Sequence, residues 1–138
     1  MSMIDYEKRL REEEERQARR KAWLAGLRVG SRVVLPTDAR WAYRAPFDVF
    51  EVVGVTRTIL RLKSVDTAAV REFDRGTGRP RPRKHDFGMI EPYTQQTEDA
   101  NVRWAMIARL SGMERKDWEK LPNEALQKVI GTLNTASR

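Results

Sequence analysis

Between Asp5 and Leu24 the chain has neither Gly nor Pro, and Glu, Arg, Lys, Leu, Ala and Gln fill most positions. These are strong helix formers, and the stretch predicts one continuous helix. Acids stand four residues before bases at Glu7 and Arg11, Glu12 and Arg16, and Glu15 and Arg19, each pair adding roughly 0.2 to 0.5 kcal/mol to an exposed helix. From Lys8 to Lys21 the only large apolar residue is Leu10. A helix without an apolar stripe has nothing to bury, so residues 1–27 are expected to project from the domain or lie along a partner. Ala22, Trp23, Ala25 and Leu27 restore apolar character at its end as an anchor, before Gly26 and Gly30 stop it. The core must then come from the remainder of a 138-residue chain, which has room for one modest core and not two.

That core is expected in residues 28–95, where the periodicity changes from helical to extended. Val33 and Leu35 alternate with Arg32, and Phe47, Val49, Val53 and Val55 share one side of a β-branched, aromatic run. Ile59, Leu60 and Leu62 follow the Thr56-Arg57-Thr58 turn. Gly54 predicts a bulge, which accounts for Phe50 and Val52 breaking the alternation. A fourth strand is predicted around Ala69 to Phe73 and a fifth around Phe87 to Ile90, with loops at 36–46, 64–67 and 78–86. Five short strands joined by tight turns favour a small antiparallel barrel that closes on itself, SH3-like or OB-like. From Thr97 the helical period returns: Val102, Met106, Ile107 and Leu110 precede Gly112, a turn or two covers 115–120, and Ala125, Leu126, Val129, Ile130 and Leu133 form a second stripe ahead of a frayed tail from Asn134. The expected fold class is α+β, with residues 96–138 as helices packed on the barrel through Trp104 and Trp118.

The residue inventory argues against an enzyme. There is no cysteine and one histidine, His85, which removes thiolate zinc sites and a cysteine nucleophile and leaves a metal site short of ligands. None of the serines stands in a nucleophile elbow. Asp48 and Glu51 are the nearest approach to paired carboxylates, and three residues apart on a strand they face opposite ways. Gly76-Thr77-Gly78 lacks the lysine and helix of a phosphate-binding loop. Neither a metal nor a small-molecule cofactor is expected. No apolar run approaches a membrane span, and the charged start is unlike a secretory signal, so a cytoplasmic protein without a membrane partner is expected.

The net charge of +7 is concentrated in the middle of the chain. Residues 28–92 carry thirteen Lys/Arg against eight Asp/Glu, whereas each flank is nearly balanced. Arg75, Arg79, Arg81, Arg83 and Lys84 fall within ten residues that contain no acid. In Arg79-Pro80-Arg81-Pro82-Arg83 the prolines hold an extended backbone, spreading the guanidiniums along a line that phosphates or acidic side chains can meet. Arg57, Arg61 and Lys63 extend this patch if they share its side. A solvated loop has the same composition, because a basic footprint is not a code. Trp41, interleaved with Arg40 and Arg44 and close to Tyr43 and Phe47, is a candidate for base stacking; the same residues also make a hydrophobic plug beneath a long loop.

Three segments together resemble small SH3-like β-barrel proteins of phages and prophages. They are Val52-Val53-Gly54-Val55-Thr56-Arg57-Thr58-Ile59-Leu60-Arg61-Leu62, Arg71-Glu72-Phe73-Asp74-Arg75-Gly76-Thr77-Gly78-Arg79 and Ile90-Glu91-Pro92-Tyr93-Thr94. The resemblance spans residues 28–95 and implies an SH3-like barrel in a bacterial host cell; the long Arg/Pro loop and the charged helix depart from that pattern. The expected function is non-enzymatic binding of DNA, RNA or a nucleoprotein complex through Arg57, Arg61, Arg75, Arg79, Arg81, Arg83 and Lys84, with Arg40, Trp41 and Arg44 nearby. The alternative is a phage-encoded modulator that binds a host defence or transcription protein through the N-terminal helix.

Overall fold

A computed structural model describes residues 2–37, 44–81 and 88–136. The architecture is α+β, with an N-terminal helix, a six-stranded antiparallel sheet curled into a half-barrel, and C-terminal helices. The chain divides into two compact units, Met1–Asn101 and Val102–Arg138.

Helix α1 runs Met3–Ala25, beginning at Ser2, whose hydroxyl accepts the Asp5 N–H, and ending where the Gly26 N–H donates to Ala22 O. Its first four turns are exposed, including Met3, Ile4, Tyr6 and Leu10. Arg16 pairs with Glu13 at 3.2 Å, three positions away, where the expected partner is Glu12. Only the last turns reach the core. Leu24 and Leu27 are buried and Trp23 packs beside them.

Strands β1 (Arg32–Pro36), β2 (Phe47–Val55), β3 (Ile59–Ser64), β4 (Val70–Asp74), β5 (Pro80–Arg81) and β6 (Glu91–Pro92) are ordered β5-β4-β3-β2-β1-β6. Val33, Leu35, Phe50, Val52, Leu60, Leu62 and Phe73 line the concave core, where Phe50 and Phe73 meet edge to face at 5.7 Å. The inward side of β2 differs from the expected one. Phe50 and Val52 are buried, whereas Val53 is 41% exposed. The bulge explains this: the register passes from Val52 opposite Leu62 to Gly54 opposite Arg61, so Val53 has no partner. Because side chains alternate with period two, one extra residue inverts the phase, and the expectation carried the phase of Val55 backwards through the bulge.

The sheet edges also differ from expectation. Of the predicted fifth strand, Phe87 lies outside the described residues, and Gly88–Ile90 is not strand; pairing with β1 comes two residues later, with Pro92 opposite Val33 and Glu91 opposite Val34. Pro80 and Arg81, expected within a loop, pair with Phe73 and Glu72. Each edge strand thus contains a proline, which is tolerated there and blunts further strand addition. Among the described residues the sheet does not close fully. The segments preceding its two edges do meet: the Ile90 N–H donates to Gly78 O at 2.9 Å, and Ile90 is buried.

Helix α2 (Gln95–Ser111) starts with a reciprocal cap in which Thr94 Oγ1 accepts the Thr97 N–H and Thr97 Oγ1 accepts the Thr94 N–H, so the helix begins two residues before Thr97, where the period was expected to return. Asn101 then holds both backbone groups of Phe47, accepting its N–H at 3.1 Å and donating to its carbonyl at 2.9 Å. In the second unit α2 continues to Ser111, followed by α3 (Arg115–Glu119) and α4 (Asn123–Ala136). The apolar stripe of Val102, Met106, Ile107 and Leu110 forms at the predicted spacing but is 49 to 56% exposed.

Two outcomes follow from the anchoring of α1. Deleting residues 2–18 should change stability by no more than about 0.5 kcal/mol, as for exposed positions generally, while deleting 2–27 should abolish the cooperative transition of the sheet, both read by thermal melting. Gly78 has φ +74°, and a Cβ there would meet Arg20 Nη2 at 2.8 Å and Ile90 Cγ1 at 3.0 Å. Gly78→Ala should therefore cost more than about 1 kcal/mol in chemical denaturation.

Candidate anion-binding surface

The basic residues are positioned by a hairpin, a turn and the end of α1. In the 56–59 hairpin Thr56 Oγ1 accepts the Ile59 N–H at 3.0 Å, leaving Arg57 exposed at the tip. In the turn between β4 and β5, Asp74 Oδ1 accepts the N–H groups of Gly76 at 2.8 Å and Thr77 at 3.1 Å, and Oδ2 pairs with Arg81 at 2.6 Å. The Arg81 hydrogen bond is the main reason the Asp74 carboxyl titrates below its ordinary range. Arg75 joins three elements: its guanidinium donates to Thr56 O and to Ala25 O, both at 2.9 Å, tying the turn to the hairpin and capping the last carbonyl of α1.

The arginines predicted as one line of charge therefore do different work. Arg75 and Arg81 hold the fold together, which occupies donors that a ligand would need. Arg61 lies on the outward side of β3, opposite Gly54 and Glu72, with its stem across the glycine. The outward face carries two ladders of alternating sign in register, Arg32, Glu51 and Lys63, then Arg61, Glu72 and Arg81. Opposite charges so placed compensate one another, so Arg61 and Lys63 do not extend a uniformly positive strip. Arg57 and Arg79 are exposed. Arg44 is exposed and its charge acts on Asp48, whose carboxyl is nevertheless pushed above its ordinary range, mainly by burial. Arg40, Trp41, Arg83 and Lys84, with Tyr43, His85 and Asp86, lie outside the described residues.

Sequence reasoning missed the contribution of α1. Glu13, Arg16, Arg20 and Lys21 line one wall of an open groove of about 520 Å³, and Thr77, Arg79 and Met89 line the other, with Leu24 at its base. Arg20 is half-buried and fixed: it donates to Thr77 O at 3.1 Å and stands 5.8 Å over the Trp23 ring. A signal existed. From Arg16 to Thr37 there is no acid and there are six Lys/Arg, but Glu12 to Glu15 cancel them in any tally over the whole helix.

No protein-family model, curated protein or solved structure matches this chain. Among the described residues no cluster of three or more His, Asp or Glu is placed to hold a metal ion, and no helix is long and apolar enough to cross a membrane.

Asp74 organises the turn that carries Arg79, so its loss should be measurable. Asp74→Ala removes three hydrogen bonds and should destabilise the protein by about 1 to 3 kcal/mol. Asp74→Asn keeps an acceptor for the turn amides and should cost less. Because the folded carboxyl titrates below its ordinary value, its ionic contribution is complete above that value and is lost as pH falls through the depressed one. The melting-temperature gap between wild type and Asp74→Asn should accordingly narrow in strong acid.

Proposed function

We propose that this chain is a non-enzymatic binding protein for nucleic acid or a nucleoprotein complex, built on an SH3-like or OB-like half-barrel of the phage and prophage type and acting in the cytoplasm of a bacterial host. The observation that carries this reading is the meeting in one groove of Arg16, Arg20 and Lys21 from α1 with Arg79 from the turn, while Arg75 ties that turn to the end of α1 and to the hairpin that carries Arg57. Cations brought together from distant parts of a chain with net charge +7 create a field that attracts phosphate backbones. Arg61, on the outward face of the sheet with its charge partly balanced by Glu72, and Arg40, Trp41, Arg44, Arg83 and Lys84 complete the proposed footprint.

A second reading, a modulator that binds a host defence or transcription protein through α1, is favoured by a specific observation. Met3, Ile4, Tyr6 and Leu10 are 77, 77, 55 and 46% exposed, and Met3, Tyr6 and Leu10 recur at helical spacing on one face. Such a face is what a partner helix would cover.

Salt dependence separates the two. If phosphates are the partner, oligonucleotide affinity should fall as salt rises, with a log–log slope of about 0.7 to 0.9 per phosphate contacted. Failure to retard any DNA or RNA at micromolar protein in about 0.1 M salt would overturn the nucleic-acid reading and leave the α1 reading in its place.

A further inference from the structure

We infer that the groove between α1 and the 74–79 turn is the seat of a single strand of nucleic acid, with phosphates on its cationic walls and a base against Arg20 and Met89. This rests on the nucleic-acid reading above and narrows it to one place and one strandedness.

The charge pattern of α1 limits how a polyanion can approach. Up to Glu15 the chain holds six acids against three bases, and Glu12 to Glu15 form an unbroken run. Beyond Glu15 the helix carries only positive charge, at Arg16, Arg19, Arg20 and Lys21. A stiff duplex laid along α1 would bring phosphates against that acidic run, and like charges at close range are costly. A flexible strand can cross the helix within its last three turns and enter the groove, where Arg16 and Lys21 from α1 and Arg79 from the turn face it, and Glu13, the acid in the lining, is paired with Arg16.

The groove also suits a base. Leu24 closes its bottom and Met89, 36% exposed, supplies an apolar flank. Arg20 presents a guanidinium already immobilised by Thr77 O and by the Trp23 ring. Splayed bases stack on arginine planes as well as on aromatic rings, and a plane fixed before binding loses little entropy when it is used. One of its five N–H donors is engaged by Thr77. The pair between Arg16 and Glu13 is exposed on both sides and weak enough to exchange for a phosphate.

The test measures affinity of the full chain for a single-stranded oligonucleotide and for the duplex of the same sequence, across a salt series. The single strand should bind more tightly. Arg16→Ala/Lys21→Ala should flatten the single-strand salt slope by about 1.4, at ~0.7 per contact, and Arg79→Ala by about half as much. Arg115→Ala/Lys116→Ala on α3 removes the same two charges outside the groove and should leave the slope unchanged. Arg20→Lys keeps the charge but not the plane; with an unchanged melting temperature it should lower affinity without lowering the slope. If oligonucleotides bind but the α3 double variant weakens them as much as the groove variants do, the groove inference is overturned while the broader function stands. Tighter binding of the duplex overturns it too, as does displacement of the strand by poly-glutamate at equal charge, the latter pointing to an acidic protein surface. If neither strand nor duplex binds, the broader reading fails first and this one with it.

Discussion

The insertion of Leu24 and Leu27 into the curled sheet is the contact on which the rest of the first unit depends. The half-barrel cannot complete its interior from strands alone: β5 and β6 are two residues each, and the segments before them touch through one backbone hydrogen bond, Ile90 to Gly78. Leu24 from α1 and Leu27 just beyond its end join the same buried cluster as Phe73, Leu60, Leu62 and Ile90, and burying each is worth about 1.5 to 3 kcal/mol. Gly78 permits the approach, having no Cβ where Leu24, Arg20 and Ile90 converge. The arrangement explains how a helix can bury only its last turns and still be held firmly. Its exposed turns need nothing from the core, and its last turns supply what the core lacks.

The same contact decides where the charge lies. Docking the end of α1 beside the turn brings Arg16, Arg20 and Lys21 to the groove that Arg79 lines, with Glu13 as the acid that shares it. Arg75 reinforces the geometry by holding Ala25 and Thr56 together. Three elements that are far apart in sequence are thereby joined, and on the outward face of the sheet an acid stands between the cations of each ladder.

Much of the secondary structure was legible because it follows from short-range rules. The helix of residues 3–25, the bulge at Gly54, the hairpin at Thr56, and strands near 32–36, 59–64 and 70–74 can be read from propensity, period and turn chemistry. The inward face of β2 was not, because a bulge inverts the phase and the sequence does not state on which side of it the core begins. The two edge strands were missed because each is two residues long and contains a proline, which reads locally as a loop. Of the predicted cations, Arg57 and Arg79 are exposed as expected, but Arg75 and Arg81 bond within the fold, a fate that composition cannot distinguish from readiness to bind.

By itself the sequence determined the class of the fold, the length and exposure of the N-terminal helix, and the excess of positive charge in the chain. These depend on residue type and local spacing, which act over a few positions. Only the tertiary structure decided which arginines hold the turn together, which charges neutralise one another across strands, and that Arg16, Arg20 and Lys21 stand across a groove from Arg79. Those outcomes depend on strand register and on where α1 docks, and both are set by burying residues as distant as Leu24 and Phe73 in one core. Such long-range packing has no signature in any single window of the chain.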